Sequence, residues 1–330
     1  MKGERMSEIK KSFERLFDGE MEFDEAREFL ISLYEKGESA DDIAAAAEVM
    51  RSRSIMLPLD EETRKKSIDI VGTGGDRSGS FNISTTVSLL LSSIGSTVVK
   101  HGNRSITSKS GAADLLEALG IDLSMDIEKQ KRLLEETGWC FIFAMNHHPA
   151  MKHIMPVRKS IEHRTIFNIL GPLTNPAGAQ KYLMGVFSPD YIERMAEALL
   201  KTGARKAFVV SSLDGMDEIG LSSPTEYAKL ENSAITTGTI YPEEHGFERA
   251  PIEAILGGDA KMNAQILREI FDGKERGPKR DIVLLNASYA LVADGRARDI
   301  REGVEMALDA IESSASSKHL ERIVELSHKL

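Results

Sequence analysis

The chain has 330 residues, 41% of them hydrophobic and 28% charged, with 42 Lys and Arg against 52 Asp and Glu for a net charge of −10. This length predicts two domains of unequal size with a substantial core, and the composition excludes a disordered chain. The negative balance excludes a wholesale nucleic-acid-binding face but permits a local basic pocket.

A single cysteine, Cys140, excludes an internal disulfide framework and any multi-cysteine metal site, and it fits a reducing compartment. Beside Trp139 and before an apolar run, it reads as a core residue. The opening MKGERMSEIKK lacks the apolar centre of a secretory signal. The longest apolar stretch, Ile83 to Val99, carries eight Ser and Thr in 17 residues, too polar and too short to span a bilayer. A soluble cytoplasmic protein is expected, with no membrane and no nucleic-acid partner.

Residues 1–57 contain no proline and three glycines. Ile9, Phe13, Leu16 and Phe17 share one helical face, and so do Ala26, Phe29, Leu30, Leu33 and Tyr34. Gly37 should stop that second helix, and Ser39 should cap a third through Ile43, Ala47 and Met50. The unit ends near Pro58 and the charged run Asp60–Lys66, which predicts a helical domain over 1–66 and an α/β domain over 67–330. Part of 159–180 is available to complete the first.

Beyond residue 66 the texture alternates. Strands are predicted at Ser67–Val71, Thr97–Val99, Phe141–Phe143, Tyr182–Phe187 and Lys206–Val210, with helices at Ser84–Ser93, Ala112–Leu119 and Pro189–Thr202. A further strand is placed near Thr236–Tyr241, and residues 252–330 read as mainly helical. Apolar strands alternating with helices predict a mainly parallel, covered central sheet.

Four segments carry chemistry. In Asp69–Asp76 (DIVGTGGD), a strand runs into glycines 72, 74 and 75, which let backbone amides approach an anion, although a lone glycine turn of this kind also serves as a plain structural turn. Asn82, Ser84 and Thr85 open the next helix and suit either capping alone or capping with phosphate or metal binding. Lys100–Ser105 with Thr107–Gly111 follows a strand, so it lies at the carboxyl edge of the sheet as a basic, hydroxyl-rich loop in an acidic chain. In Met145–Lys152, the pair His147 and His148 suits capping or substrate contact better than zinc, and Arg158 suits a carboxylate or a surface ion pair. Asp214, Asp217 and Glu218 form a loop that fits Mg²⁺ or a solvated acidic turn.

In this order the segments resemble the anthranilate phosphoribosyltransferases. The stretches that carry the resemblance are Asp69–Asp76, Phe81–Thr85 (FNIST), Lys100–Arg104 (KHGNR), Asn146–Arg158 (NHHPAMKHIMPVR), Arg164–Pro176 (RTIFNILGPLTNP) and Asp217–Ile219, with Gly257–Asp259 and Leu284–Asn286 extending it over nearly the whole chain. The resemblance implies transfer of the phosphoribosyl group of 5-phosphoribosyl-1-pyrophosphate (PRPP) to the amino group of anthranilate, with release of pyrophosphate, on the way to tryptophan. It also implies a nucleoside-phosphorylase-like fold, the class IV phosphoribosyltransferase type, with Mg²⁺ and a homodimer formed through the helical domain. Phe13, Leu16, Phe29 or Leu33 is expected at that dimer contact.

By the same resemblance PRPP would be held by Gly72, Gly75, Asp76, Ser80, Asn82, Ile83, Ser84 and Thr85, together with Lys100, His101, Gly102, Asn103, Arg104, Ser105, Ile106, Thr107 and Ser108. Anthranilate would meet Gly72, His101, Asn103, His148, Arg158, Gly171 and Pro172. Mg²⁺ would fall to Ser84, Asp217 and Glu218. One departure is Ala112, where the family often has serine; it removes a hydroxyl from the PRPP side. An aryl amine is a neutral nucleophile, so positioning is the main task and no general base is named. Two rival readings are a pyrimidine nucleoside phosphorylase on the same fold and a non-catalytic relative that binds nucleic acid. The NHHPAMK stretch and the Asp217–Glu218 pair oppose the first, and the acidic pair with the net charge opposes the second.

Overall fold

The computed structural model describes residues 2–76, 78–105 and 109–330. Its first helices are α1 (Lys2–Phe17), α2 (Phe23–Lys36) and α3 (Ala40–Ser52), with a short α4 (Glu61–Lys66) ahead of the sheet. Gly37 ends α2 at a φ of 76°. Ser39 caps α3 in a reciprocal box: its Oγ accepts from the Asp42 amide, and the Asp42 carboxylate accepts from the Ser39 amide at 3.0 Å.

Seven strands follow: β1 (Ser67–Gly72), β2 (Thr97–Gly102), β3 (Trp139–Phe143), β4 (Lys181–Gly185), β5 (Lys206–Ser212), β6 (Thr225–Glu231) and β7 (Ala234–Ile240). They lie in the order β3-β2-β1-β4-β5-β6-β7. The first five are parallel, and β5, β6 and β7 pair antiparallel. The mainly parallel sheet expected from the sequence is therefore present. Strand β6 was passed over, because its lysine and glutamates mask a half-buried alternation. It turns into β7 through Asn232 and Ser233, both at positive φ (53° and 61°), the backbone a two-residue hairpin needs.

The intervening helices are α5 (Ile83–Ser93), α6 (Ala112–Leu119), α7 (Ile127–Thr137), α8 (Ala144–His147), α9 (Met151–Lys159), α10 (Phe167–Leu170) and α11 (Ile192–Lys201), and the chain ends with α12 (Ala260–Phe271), α13 (Pro278–Asp294), α14 (Ile300–Glu312) and α15 (Ala315–Lys329). The sequence reading also passed over α7, which Asp126 caps and Gly138 stops at a φ of 72°. Alternate strand residues feed two apolar layers. Ile68, Ile70, Trp139 and Phe141 join helices α5, α6 and α12–α15 on one face; Val71, Val99, Cys140 and Ile142 join α1–α3 and α9–α11 on the other. This two-sided burial explains strands that read as continuous apolar runs. Ile161, Ile166, Phe167 and Leu173 enter the same layer as Phe13 and Leu30. Trp139 is fully buried, and its indole N–H donates to Ser88 Oγ at 3.2 Å. Cys140 is a core residue as expected, and burial pushes its thiol up.

The expected dimer contact narrows to Phe29 among its four candidates. Phe13, Leu16 and Leu33 are buried in the chain's own core, so they are unavailable to a partner, and Phe29 is partly buried with its ring edge-to-face on Phe13 at 5.2 Å. Among the described residues no helix is long and apolar enough to cross a membrane.

Candidate active site

The sheet order places β2 and β3 on one side of β1 and β4 and β5 on the other. The chain thus reverses direction across the sheet between β1 and β4, and a crevice opens at the carboxyl ends of those strands. The residues ending them, Gly72 and Gly185, are register partners. Asp217, in the loop after β5, lies across both: a side-chain carbon on Gly72 would overlap its carboxylate, and one on Gly185 would overlap its backbone carbonyl.

Three carboxylates meet there. Ligand oxygens of Asp76, Asp217 and Glu218 all lie within 4.8 Å of one another. Asp217 Oδ2 accepts from the Gly74 amide at 2.7 Å. Burial, then the charge of Asp76, pushes the Asp217 carboxyl up to about 6, and burial with the Asp217 charge pushes Glu218 well up. Asp76 Oδ2 and Glu218 Oε2 are buried without a donor. Clustered, dehydrated carboxylate oxygens short of donors suit a hard divalent cation. Ser84, expected with the metal, lines the same cavity as Asp217 and Glu218. Asp214 does not join: it accepts from the Ser222 hydroxyl and the Met216 amide within its own turn.

Lys100 comes up from β2 beneath the glycine loop. Its Nζ is 2.6 Å from the Ile70 carbonyl and 3.4 Å from Ser84 Oγ, and burial lowers its pKa to about 8 against the raising charges of Asp69, Glu218 and Asp217. It is a buried cation behind the acidic cluster rather than an exposed arm. Asp69 sits alongside, pushed up to about 7 by burial, with its oxygens accepting from the His101 amide and the Asn175 side chain.

The remaining donor-side residues divide. Gly75 adopts a φ of 73°, and its carbonyl accepts from Arg164 at 2.8 Å. Ser80 forms a bridge with Leu256. The side chains of Ile83 and Thr85 are buried, which leaves only their backbone for a ligand. Asn82 does not cap α5 with its side chain, against expectation; its amide is taken by Ser110 and Asn263. Asn103 Oδ1 accepts from the Arg104 amide. Arg104 is engaged on α6 rather than with Asp76, Asp217 or Glu218: it forks onto Glu117 at 2.7 and 2.6 Å, reaches Asp114 at 3.0 Å and lies over the Phe143 ring. Asp114 also accepts from the amides of Ser105 and Gly111, and Ala112 opens α6 beside them. Gly102 packs where a side-chain carbon would lie 2.9 Å from the Phe141 ring. Ile106, Thr107 and Ser108 lie outside the described residues.

On the acceptor side His101, His148 and Gly171 converge, with Pro172 in the same 3₁₀ turn as Gly171. His101 Nδ1 is 3.0 Å from the Gly171 carbonyl, and the two Nε2 atoms are 3.2 Å apart. A carbonyl only accepts, so Nδ1 of His101 carries the proton, its Nε2 accepts, and His148 Nε2 must donate. Both rings are then neutral, in keeping with burial that pushes His148 down to about 4 and His101 well below its ordinary value. Arg158 is partly buried with its guanidinium 5.6 Å from the Phe167 ring centre. No carboxylate among the described residues pairs with it, so it is not a surface ion pair.

The sequence reading missed several supporting residues. Arg164 stacks 3.5 Å over Phe187 while holding Gly75. Asn286 braces the acidic loop through both the amide and carbonyl of Ile219. Both lie inside stretches quoted for the resemblance, which was the signal available. Gly185 had only its place at a strand end.

This fold and site define a glycosyl transferase: residues 64–316 match the family described as "Glycosyl transferase family, a/b domain". A protein of Xanthobacter autotrophicus named anthranilate phosphoribosyltransferase is 46% identical over 318 residues, covering 96% of this chain and 91% of that one. The crystal structure of the Thermus thermophilus anthranilate phosphoribosyltransferase superposes with a TM-score of 0.92 at 40% identity, over 98% of this chain and 95% of that one. The Saccharomyces cerevisiae enzyme, solved in complex with PRPP and Mg, has a TM-score of 0.85 at 28% identity over 93% of this chain and 86% of that one. The chain belongs to the anthranilate phosphoribosyltransferase family.

Proposed function

We propose that this chain transfers the phosphoribosyl group of PRPP to the amino nitrogen of anthranilate, giving N-(5-phosphoribosyl)anthranilate and pyrophosphate in tryptophan biosynthesis. The observation that carries the reading is the meeting of Asp76, Asp217 and Glu218 under a glycine loop at the β1/β4 switch point, together with a histidine pair formed by His101 on β2 and His148 at the end of α8.

Asp217 and Glu218, with Asp76 beside them and Ser84 in the same cavity, would hold Mg²⁺, which when bound offsets the charge of the departing pyrophosphate. The glycine-loop backbone and the first-turn amides of Ser84 and Thr85 are the anion donors for PRPP. Lys100, buried behind them, adds positive potential without a contact of its own. On the acceptor side Arg158, free of any carboxylate among the described residues, forks onto the anthranilate carboxylate. His101 and His148 line the amine's approach as neutral rings, so they do not repel a neutral nucleophile. As the C1–oxygen bond to pyrophosphate breaks with its electron pair on oxygen, the amine lone pair forms the C1–nitrogen bond, and the amine loses a proton to water. The transition state is oxocarbenium-like, as in glycosyl transfer generally.

The division at 1–66 and 67–330, with part of 159–180 completing the helical unit, belongs to this reading, as do a homodimer through that unit and a cytoplasmic location. With Phe13, Leu16 and Leu33 buried, the exposed Phe23, Tyr34, Ile55 and Met56 and the half-buried Phe29 are among the apolar side chains left for such a contact among the described residues.

Pyrophosphate release from PRPP, measured with and without anthranilate, tests the function. Release that requires anthranilate is expected. Phosphate-dependent cleavage of a nucleoside in its place, or DNA binding without turnover, would overturn the reading.

A further inference from the structure

We propose that Asn263, on α12, is a positioning residue that holds the PRPP loop in its binding shape through Asn82; the inference rests on the PRPP reading of that loop. Asn263 is 2% exposed, and both ends of its amide are engaged. Its Oδ1 accepts from the Gly258 amide at 2.8 Å, and its Nδ2 donates to Asn82 Oδ1 at 2.9 Å.

The first bond secures the turn at Gly257 and Gly258, and that turn clips the far end of the glycine loop. The Gly257 amide donates to the Gly79 carbonyl at 2.9 Å, and the Phe81 amide donates to the Ile255 carbonyl at 3.2 Å. The fit is close: a side-chain carbon on Gly257 would lie 2.6 Å from both Phe81 Cα and Asn263 Oδ1. The second bond reaches the residue at the start of α5. Asn82 Nδ2 donates to the Ser110 carbonyl at 3.1 Å, and its Oδ1 also accepts from Ser110 Oγ at 3.2 Å. One side chain on α12 therefore ties the exit of the glycine loop, the N-terminus of α5 and the segment after KHGNR into a single half-buried network.

The loop needs external support because Gly74, Gly75 and Gly79 all sit at positive φ (64°, 73° and 71°), a shape its own sequence does not enforce. Free glycines lose more conformational freedom on ordering than any other residue. Holding the loop in advance removes that cost from the binding step, so the benefit falls on PRPP rather than on anthranilate.

The test uses the full chain and two variants, with Tm and the KM for each substrate. Asn263→Asp keeps an acceptor for Gly258 but sets a carboxylate oxygen against Asn82 Oδ1, which breaks only the link to the loop. Asn263→Ala removes both bonds and covers the case in which the Asp variant does not fold. For Asn263→Asp we expect the KM for PRPP to rise about tenfold, the scale of one net hydrogen bond, with the KM for anthranilate unchanged. Asn263→Ala should raise it at least as much and lower Tm further. If both KM values rise together, or only Tm moves, Asn263 is mere support for α12 and the assignment falls. A wild-type chain without PRPP-dependent transfer overturns the underlying reading and this assignment with it.

Discussion

Gly72 and Gly185 face each other in register at the ends of neighbouring parallel strands, and Asp217 occupies the space that side chains on both would fill. Gly185→Ala should therefore displace the Asp217 backbone and spread the carboxylate cluster. The expected result is a Mg²⁺ requirement at least tenfold higher and a kcat/KM for PRPP down by a hundredfold or so, since small misplacements of positioned groups are that costly. Gly72→Ala should be milder, because the group it meets is a carboxylate able to rotate. A Mg²⁺ titration of turnover checks both. Normal Mg²⁺ dependence in Gly185→Ala would refute the slot.

Removing charge from the cluster should stabilise the empty enzyme. Burial and the Asp76 charge raise the Asp217 carboxyl to about 6, above its unfolded value, so the ionised form costs stability near neutral pH. Asp217→Asn should raise metal-free stability by on the order of 2–3 kcal/mol and collapse turnover. Urea unfolding without Mg²⁺, read beside the transfer assay, tests the trade. A destabilised variant would mean that the Asp217 charge supports the fold.

Arg158 should govern acceptor choice. Losing a charge-assisted hydrogen bond costs on the order of 1.5–3 kcal/mol, so Arg158→Ala should raise the KM for anthranilate about tenfold to a hundredfold while that for PRPP stays nearly constant. Arg158→Lys should recover part of the loss, because it lacks the planar fork. Equal rises in both KM values would sink the acceptor role.

The histidine pair predicts acid lability. Burial holds His148 down to about 4 and His101 lower than its ordinary value, whereas the unfolded rings titrate near 6.5. Below about pH 6.5 the unfolded chain takes up protons that the folded chain refuses. Stability from this pair is thus complete above about 6.5 and is lost as pH falls toward about 4. Asp69 and Asp217 are shifted up and act in the opposite sense, so the comparison must be with a variant. His148→Gln keeps a donor to His101 and should flatten the decline by up to about 1.4 kcal/mol per pH unit between 6.5 and 5. Parallel curves for the two proteins would place the ring's titration elsewhere.

What the sequence determined by itself is whatever is encoded over a few residues. Ser39 and Asp42 make a cap, Gly37 a stop, and β1 a buried run into glycines that mark an anion loop, because each depends on neighbours within one turn or one strand. The tertiary structure decided which of these pieces meet. Asp76 joins Asp217 and Glu218 only because the chain crosses the sheet between β3 and β4, and the acidic loop returns over Gly185. Asn82 looked like a helix cap, but its amide is claimed by Ser110 and by Asn263, 181 residues away. Arg104 looked like a phosphate contact and is drawn to Glu117 by proximity that no local spacing encodes. A side chain's partner is chosen by packing across the sheet, and that choice forms only when distant elements close on one another.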